Sequence, residues 1–217
     1  AIVLYADTPL VPKEAGERAF AEIEKGASIC VLGFIATLPN RYGRLVTDGN
    51  GSLEAIVEAN DADESQLQIE LANSGVMAAP VKLMFDLLGQ VTNHNAKGEY
   101  YLTDLVGLAR ERSLKASVAH CDERDVQGVN SQVELAQVER VFQDGVRERM
   151  MVAGVTLPAP DTVYFSHDTK VAAGVTIEPN VVFATGVSVD SGAVIRAFSH
   201  LEGAKVGPGA LVGPYAR

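Results

Sequence analysis

Two acidic residues directly follow apolar runs that predict β-strands, and carboxylates at such positions are suited to phosphate chemistry. Asp7 follows the apolar residues 2–6, and Glu58 ends the run that begins at Leu53. Open α/β sheets bind ligands at the carboxyl ends of their strands, and Mg²⁺ prefers one or two carboxylates together with substrate phosphates. An aspartate followed by Thr-Pro can equally cap a turn. The residues alone therefore leave a magnesium ligand and a turn cap as alternatives for Asp7.

The other polar groups do not form a recognisable centre. The run Asp61-Ala62-Asp63-Glu64 is typical of a solvated loop, and no nucleophile stands beside a base in a recognisable motif. The four histidines lack the spacing of metal ligands: His94, His120, His167 and His200. The pattern therefore indicates neither a zinc site nor a catalytic triad.

Strand and helix patterns alternate over about the first 155 residues and would position these side chains. Strands are predicted over residues 1–6, 29–36, 44–47, 53–58, 74–78 and 116–120, and helices over 13–25, 80–88 and 103–112. The first helix has Ala19, Phe20 and Ile23 on one face. Asp48-Gly49-Asn50-Gly51 predicts a hairpin between two of the strands. Alternating strands and helices predict an α/β domain with a mostly parallel sheet.

A long helix is predicted from Ser131 to Ala153. Ser131 and Glu134 form a capping box at its start. Its apolar stripe consists of Leu135, Val138, Phe142, Val146 and Met150. This stripe predicts a linker helix that packs on a neighbouring element. We therefore divide the chain into a first domain over residues 1–130, a linker helix over 131–154 and a second domain from 160 to 217.

The second domain repeats every six residues. Aliphatic or aromatic residues recur at Val171, Ile177, Phe183, Val189, Ile195 and Leu201, and the pattern resumes one residue early at Val206 and Val212. A small or short residue stands two positions before each: Thr169, Val175, Val181, Val187, Ala193, Ser199, Ala204 and Ala210. This period predicts a parallel β-helix whose repeated residues point inward. The repeat still runs at Arg217 and the chain opens within an apolar run, so we expect an internal fragment of a longer protein.

Composition excludes several classes of function. The formal net charge of −10 argues against non-specific nucleic-acid binding, which needs a basic surface. No run approaches the roughly 20 apolar residues of a membrane span. Two cysteines, with no disulfide framework, suggest a reducing compartment and hence a cytoplasmic protein.

Six motifs occur in an order that resembles one enzyme family. They are Tyr5-Ala6-Asp7-Thr8-Pro9-Leu10, Arg41-Tyr42-Gly43-Arg44, Ile56-Val57-Glu58, Asn73-Ser74-Gly75-Val76, the run from Asn95 to Asp104, and Gly128-Val129-Asn130. Together with the long helix and the hexapeptide repeats, they resemble the bacterial bifunctional N-acetylglucosamine-1-phosphate uridylyltransferase / glucosamine-1-phosphate N-acetyltransferase family. The Asn-Ala-x-Gly-Glu-Tyr-Tyr-x-Thr-Asp run is the most specific of these motifs.

The resemblance implies a fold and two activities. The fold would be a Rossmann-like nucleotidyltransferase domain, a long helix and a left-handed parallel β-helix. The enzyme would transfer acetyl from acetyl-CoA to glucosamine 1-phosphate. It would then join UTP to N-acetylglucosamine 1-phosphate with Mg²⁺, giving UDP-N-acetylglucosamine for peptidoglycan and lipopolysaccharide precursors. The family also implies a cytoplasmic homotrimer.

The resemblance further implies a set of site residues. Asp7 and Asn130 match the magnesium ligands. The positions that contact the UDP-sugar are matched by Tyr5, Ala6, Asp7, Gly43, Glu58, Asn73 and Asn130. Tyr101 and Thr103 also lie near the sugar in the family.

The sequence departs from the family pattern in three ways. Ala6 stands where glycine is usual, which adds only a methyl group and is expected to be tolerated. No Gly-rich loop carrying Arg and Lys precedes Asp7. The catalytic histidine of acetyl transfer is expected beyond Arg217, and His200 lies too early in the coils to be that residue. We therefore expect the 217 residues by themselves to be inactive in both reactions.

Two alternatives remain open. One is another sugar-1-phosphate nucleotidyltransferase with an appended β-helix, against which the run from Asn95 to Asp104 argues. The other is a non-catalytic scaffold with the same two-domain plan, against which the intact Asp7 and Asn130 argue.

Overall fold

The first of two compact units is a mixed α/β domain. A computed structural model describes residues 1–94 and 98–217, and these form the units Ala1–Ser131 and Gln132–Arg217. The strands of the first unit are β1 (Ile2–Val3), β2 (Ile29–Ile35), β3 (Arg44–Thr47), β4 (Leu53–Val57), β5 (Leu71–Ala78) and β6 (Ala116–His120). Its helices are α1 (Lys13–Glu24), α2 (Val81–Leu88) and α3 (Asp104–Glu111). The predicted elements are thus confirmed in type, and the predicted and observed lengths differ most for β1 and β5.

The sheet is mixed, so the prediction of a mostly parallel sheet is wrong. Its described strands follow the order β4-β3-β5-β2-β6, and β1 also pairs with β5. The β2–β6 pair is parallel, whereas β1–β5, β2–β5, β3–β4 and β3–β5 are antiparallel. Parallel neighbours need a long crossover, while a short connection such as the β3–β4 hairpin makes antiparallel ones. The sequence shows that strands and helices alternate, but it does not show which strands become neighbours.

Strand β2 is buried on both faces, which explains its continuous apolar run. Ile29 and Val31 pack in the same cluster as α2 and α3. Cys30 and Leu32 pack on the opposite side with Ala15 and Ala19 of α1. The sheet is therefore held between helices on its two faces.

Two details of the predicted first elements are wrong. The strand over residues 1–6 is shortened to Ile2–Val3, because the chain turns away after Val3, and both Leu4 and Tyr5 are exposed. In α1 the buried residues are Ala15 and Ala19, and Phe20 is 42% exposed. A helix advances about 100° per residue, so Phe20 lies beside the buried stripe of residues four apart.

The second unit begins with α4 (Gln132–Val152) and continues as short strands in three parallel ladders. The strands are β7 (Lys170–Val171), β8 (Thr176–Ile177), β9 (Val182–Phe183), β10 (Ser188–Val189), β11 (Val194–Ile195), β12 (His200–Leu201), β13 (Lys205–Val206) and β14 (Leu211–Val212). The described ladders are β7-β10-β13, β8-β11-β14 and β9-β12. Val171 pairs with Val189 and Val189 with Val206, so one coil takes 18 residues and the next takes 17. The six-residue period therefore corresponds to one side of a three-sided coil, as at the start of a β-helix.

The prediction that the repeated residues point inward is confirmed. Ile177, Phe183, Val189 and Ile195 are each at most 2% exposed, and the whole set packs in one core cluster. The residues two positions earlier also line this core, and Val175, Val181 and Ala193 are fully buried. The coils are thus filled by two rows of inward side chains on each side.

Helix α4 satisfies the backbone of the segment that leads into the coils. The Gln143 side chain donates to the Phe165 carbonyl at 2.8 Å and accepts from the Phe165 N–H at 2.9 Å. Arg147 Nε donates to the Val163 carbonyl at 2.9 Å, and Nη2 donates to the Asp161 carbonyl at 3.3 Å. An edge strand otherwise presents unpaired backbone groups. Two polar side chains of α4 therefore occupy positions where a neighbouring coil would pair.

The predicted stripe of α4 is partly correct. Val138 and Val146 are buried, and Phe142 and Met150 pack against the coil core. The prediction for Leu135 is wrong, since this residue is 46% exposed. Gln143 and Arg147 are buried on this helix although they are polar, because their side chains pair with backbone groups. An apolar pattern does not reveal such pairing. In the part of the chain that the structure describes, no helix is long and apolar enough to cross a membrane.

Gln143→Leu should destabilise the first coil. Leucine keeps a similar volume but leaves the Phe165 N–H and carbonyl without these partners, and each buried unsatisfied group costs about 1–3 kcal/mol. Hydrogen exchange of the Phe165 amide should accelerate about tenfold or more. Gln137→Leu, at an exposed position of the same helix, should leave that rate unchanged. Equal rates in the two variants would contradict this role for Gln143.

Candidate functional site

Strands β1 and β3 share one edge of β5, and they leave a gap between them. Met77 of β5 pairs with both Val3 and Val31, so β1 and β2 lie on opposite edges there. Ala72 likewise pairs with both Arg44 and Phe34. Residues 73–76 therefore lie between the end of β1 and the start of β3, and we call this segment the β5 gap. The chain segments that leave β1 and enter β3 converge on it.

Strand β5 is bulged at this gap. Val31 pairs with Met77 and Gly33 pairs with Asn73, so β5 has more residues than β2 between these two pairs. The displaced backbone is satisfied locally. The Gly75 N–H donates to Asn73 Oδ1 at 2.9 Å, and the Val76 N–H donates to Ser74 Oγ at 3.2 Å. Short polar side chains thus replace the acceptors that a neighbouring strand would supply.

Gly75 makes room for Tyr5 at the bulge. Its φ is +83°, a left-handed conformation that glycine adopts without penalty. A Cβ on Gly75 would lie 2.6 Å from Tyr5 Cδ2 and nearer still to Cε2. The Tyr5 ring therefore rests directly on the Gly75 backbone, which explains why glycine is required at this position.

Gly43 and Glu58 meet at the β3 side of the gap. The Asn73 N–H donates to the Gly43 carbonyl at 2.8 Å. A Cβ on Gly43 would lie 3.5 Å from both carboxylate oxygens of Glu58. Thr103 Oγ1, at the start of α3, donates to Glu58 Oε1 at 3.3 Å. The carboxylate is thus held between the Gly43 backbone and a buried hydroxyl group.

Asp7 lies beside the segment that leads to α4. The Val129 N–H donates to the Asp7 carbonyl at 2.8 Å, so Asn130 is the residue next to this contact. The turn after β1 is closed by Thr8, whose N–H and hydroxyl group both donate to the Tyr5 carbonyl, at 3.3 and 2.9 Å. Thr8 therefore performs the turn-closing role that the sequence left open for Asp7, and the Asp7 side chain is exposed.

Tyr5 links the two groups of residues electrostatically. Partial desolvation raises the pKa of the Tyr5 hydroxyl although 42% of the residue is exposed, and the negative charges of Glu58 and Asp7 raise this pKa further. A neutral phenol at this position can donate a hydrogen bond to a ligand oxygen. Tyr101 has a similar environment, since its hydroxyl oxygen is enclosed and has no hydrogen-bond partner among the described residues. The pKa of Tyr101 is raised by desolvation and then by nearby carboxylates, with Asp61 foremost.

The predicted site residues lie in or beside the chain segments that converge on the β5 gap. Tyr5, Ala6 and Asp7 follow β1, and Gly43 precedes β3. Glu58 follows β4, Asn73 lies in the β5 gap, and Asn130 immediately precedes Ser131 at the end of the first unit. The beginning of the most specific motif, Asn95-Ala96-Lys97, lies outside the described residues. Sequence reasoning did not identify Gly75 as part of the site, although a glycine inside a strand pattern is a known sign of a bulge.

The two predicted magnesium ligands, Asp7 and Asn130, carry one carboxylate and one amide group. Both are hard oxygen donors of the kind Mg²⁺ prefers, and this ion usually takes its other ligands from water and phosphate. Among residues 1–94 and 98–217 there is no group of three or more His, Cys, Asp or Glu side chains that could hold a metal ion.

Curated relatives match almost the whole chain. It is 56% identical to the bifunctional protein GlmU of Hyphomonas neptunium over 215 residues, which are 99% of this chain and 47% of that protein. It is 54% identical to the GlmU protein of Caulobacter vibrioides over 206 residues, 95% of this chain and 45% of the relative. It is 51% identical to the GlmU protein of Roseobacter denitrificans over 216 residues, which are 100% of this chain and 48% of that relative. The chain is therefore homologous to bacterial bifunctional GlmU proteins and spans about half the length of these relatives. No protein-family model matches the chain.

Gly75→Ala should displace the Tyr5 ring. The variant adds both backbone strain at positive φ and a clash with Tyr5, which together should cost about 1–3 kcal/mol. Thermal unfolding and the NMR signals of the Tyr5 ring measure the two effects. Gly51→Ala is the matched control, because Gly51 has φ +79° but no atom within 4 Å of a Cβ. If both variants leave the Tyr5 signals unchanged, Gly75 does not seat this ring.

Glu58→Gln should lower the pKa of Tyr5 without returning it fully to the ordinary 10.0, because burial is the larger cause. A folded-state pKa above the unfolded value gives stability that is present below about pH 10 and is lost as the pH rises through the raised pKa. NMR titration of ¹³C-labelled tyrosine measures the shift. Glu64→Gln, which changes an exposed loop carboxylate, should leave the pKa of Tyr5 unaltered. A pKa that does not fall in Glu58→Gln would contradict the proximity of Glu58 to Tyr5.

Proposed function

We propose that this chain, as a homologue of the bacterial bifunctional GlmU proteins, takes part in the synthesis of UDP-N-acetylglucosamine. In the complete reaction sequence, acetyl-CoA acetylates glucosamine 1-phosphate. UTP then reacts with N-acetylglucosamine 1-phosphate, and pyrophosphate is released. The observation that carries the proposal is the convergence of Tyr5, Gly43, Glu58 and Asn73 on the β5 gap.

The residues around the β5 gap have functional groups suited to a sugar nucleotide. Glu58 accepts hydrogen bonds from sugar hydroxyl groups, and Thr103 keeps one carboxylate oxygen in place. The Asn73 backbone N–H donates to the Gly43 carbonyl, and the Asn73 side-chain amide is held by its Oδ1, which accepts from the Gly75 N–H. Tyr5 and Ala6 directly precede Asp7 in the chain and would contact the sugar nucleotide beside it. In this proposal the sugar 1-phosphate is bound and oriented by Tyr5, Ala6, Gly43, Glu58 and Asn73, and positioning contributes strongly to phosphoryl-transfer catalysis.

Asp7 and Asn130 would hold Mg²⁺. The bond from the Val129 N–H to the Asp7 carbonyl supports this assignment, since it joins segments that are far apart in the sequence. When bound, the ion supplies charge neutralisation for the reacting phosphates. An anionic sugar phosphate near the carboxylates of Asp7 and Glu58 would otherwise be repelled.

The finer assignments follow from the same homology. The first unit is a Rossmann-like sugar-nucleotidyltransferase domain, and the coils of the second unit are left-handed and belong to an acetyltransferase β-helix. The intact protein is a homotrimer of the cytoplasm. No residue of this chain is assigned as the catalytic residue of acetyl transfer.

A segment exchange tests the proposal. The matching 215-residue segment of the Hyphomonas neptunium protein is replaced by this chain, and UDP-N-acetylglucosamine formation from UTP and N-acetylglucosamine 1-phosphate is measured. We expect the chimera to be active. Asp7→Asn should reduce its uridylyl transfer about a hundredfold or more, because a lost metal ligand removes several kcal/mol of charge stabilisation.

Two controls make the outcome specific. Asp122→Asn changes another exposed aspartate that follows a strand and should leave the rate unchanged. Acetyl transfer should be nearly unaffected by Asp7→Asn, because the proposal places that reaction in the β-helix. A chimera that prefers another sugar 1-phosphate would indicate a different sugar-1-phosphate nucleotidyltransferase. A folded chimera without any nucleotidyl transfer would indicate a scaffold.

A further inference from the structure

The first residue of β3 is a buried arginine. Arg44 is 1% exposed and is the largest fully buried side chain among the described residues. A guanidinium group remains charged in proteins, and removing it from water costs free energy that must be compensated. The groups around Arg44 should therefore show what the charge is used for.

Arg44 binds the loop that precedes Gly43. Nη1 donates to Asn40 Oδ1 at 2.7 Å and to the Tyr42 carbonyl, and Nη2 donates to the Asn40 carbonyl at 3.3 Å. A longer contact of 3.5 Å reaches the Leu67 carbonyl. All these acceptors are neutral amide oxygens, and none of the ion pairs within residues 1–94 and 98–217 includes Arg44. The planar group therefore fixes loop backbone instead of balancing a carboxylate.

Asn40 completes this arrangement. Its Oδ1 accepts from both Arg44 Nη1 and the Tyr42 N–H, the latter at 3.1 Å, and its Nδ2 donates to the Thr37 carbonyl at 3.0 Å. Residues 40–44 thus form a small ring of hydrogen bonds closed by two side chains. Gly43 stands in the chain between Arg44 and Tyr42, and both the N–H and the carbonyl of Tyr42 take part in these bonds.

The position of Gly43 matters for both polar groups of the β5 gap. Its carbonyl accepts the Asn73 N–H at 2.8 Å, and its Cα faces the Glu58 carboxylate. A shift of the 40–42 loop would therefore move the backbone that separates Asn73 from Glu58. We propose that Arg44, acting with Asn40, is a positioning residue that sets the distance between these two sugar-binding groups. The identity of the sugar ligand rests on the proposed function, whereas the positioning of Gly43 does not.

Amide NMR of the 217-residue chain tests the proposal without any ligand. In Asn40→Ala and Arg44→Lys, the Gly43 and Asn73 amide signals should shift or broaden. Asn40→Asp keeps the Oδ1 acceptor but loses the donor to the Thr37 carbonyl, so the Gly43 and Asn73 signals should lie closer to the wild-type positions than in Asn40→Ala. Asp48→Ala is the matched control, because Asp48 accepts two backbone N–H bonds at the opposite end of β3, at 2.8 and 2.9 Å. It should change signals only around residues 48–52.

A titration with UDP-N-acetylglucosamine and Mg²⁺ extends the test to binding. Asn40→Ala should weaken the affinity about threefold to tenfold, as expected for one disturbed hydrogen bond, whereas Asp48→Ala should not. If the wild-type chain does not bind the sugar nucleotide, the proposed binding site is wrong for this chain, but the amide signals still decide the role of Arg44. Unchanged Gly43 and Asn73 signals in Asn40→Ala would overturn the positioning role, even if Arg44→Lys does not fold.

Discussion

The shared edge of β5 is the constraint on which the candidate site depends. Backbone N–H and carbonyl groups inside a fold must find partners. The two strands that pair with this edge of β5 leave residues 73–76 without a neighbouring strand on that edge. The chain resolves this with Asn73 and Ser74 side chains, the Gly43 carbonyl and a left-handed Gly75. The interruption of regular pairing therefore both requires polar groups and places them side by side.

In the proposed function, this edge of β5 binds a ligand that carries hydroxyl groups and phosphates. Asp7 and Glu58 flank Tyr5 and raise the pKa of its hydroxyl in addition to the effect of burial. Carboxylates accept hydrogen bonds from sugar hydroxyl groups readily. Phosphates need a cation beside these carboxylates, which is the physical reason for assigning Mg²⁺ to Asp7 and Asn130 in the proposed function.

The second unit solves a related problem with different means. Coils pair with the coils before and after them, so the first one needs a partner on its free side. In this chain Gln143 and Arg147 supply that partner from a helix, through bonds to the backbone of Phe165, Val163 and Asp161. Both units thus use side chains to complete interrupted backbone pairing.

The sequence by itself determined the elements whose signal is local or periodic. The six-residue repeat identified the inward residues of the coils, because nearly every side of a coil takes six residues and has the same inward positions. The strands, the hairpin at 48–51 and the long helix were also predicted, since turn residues and periodicity are encoded nearby. Only the tertiary structure decided the rest. The mixed sheet, the exposure of Phe20 and Leu135, and the burial of Gln143, Arg147 and Arg44 depend on which distant segments become neighbours. The contacts of Gly75 with Tyr5 and of Asp7 with Val129 are decided in the same way, because they join residues far apart in the chain whose proximity no local pattern records.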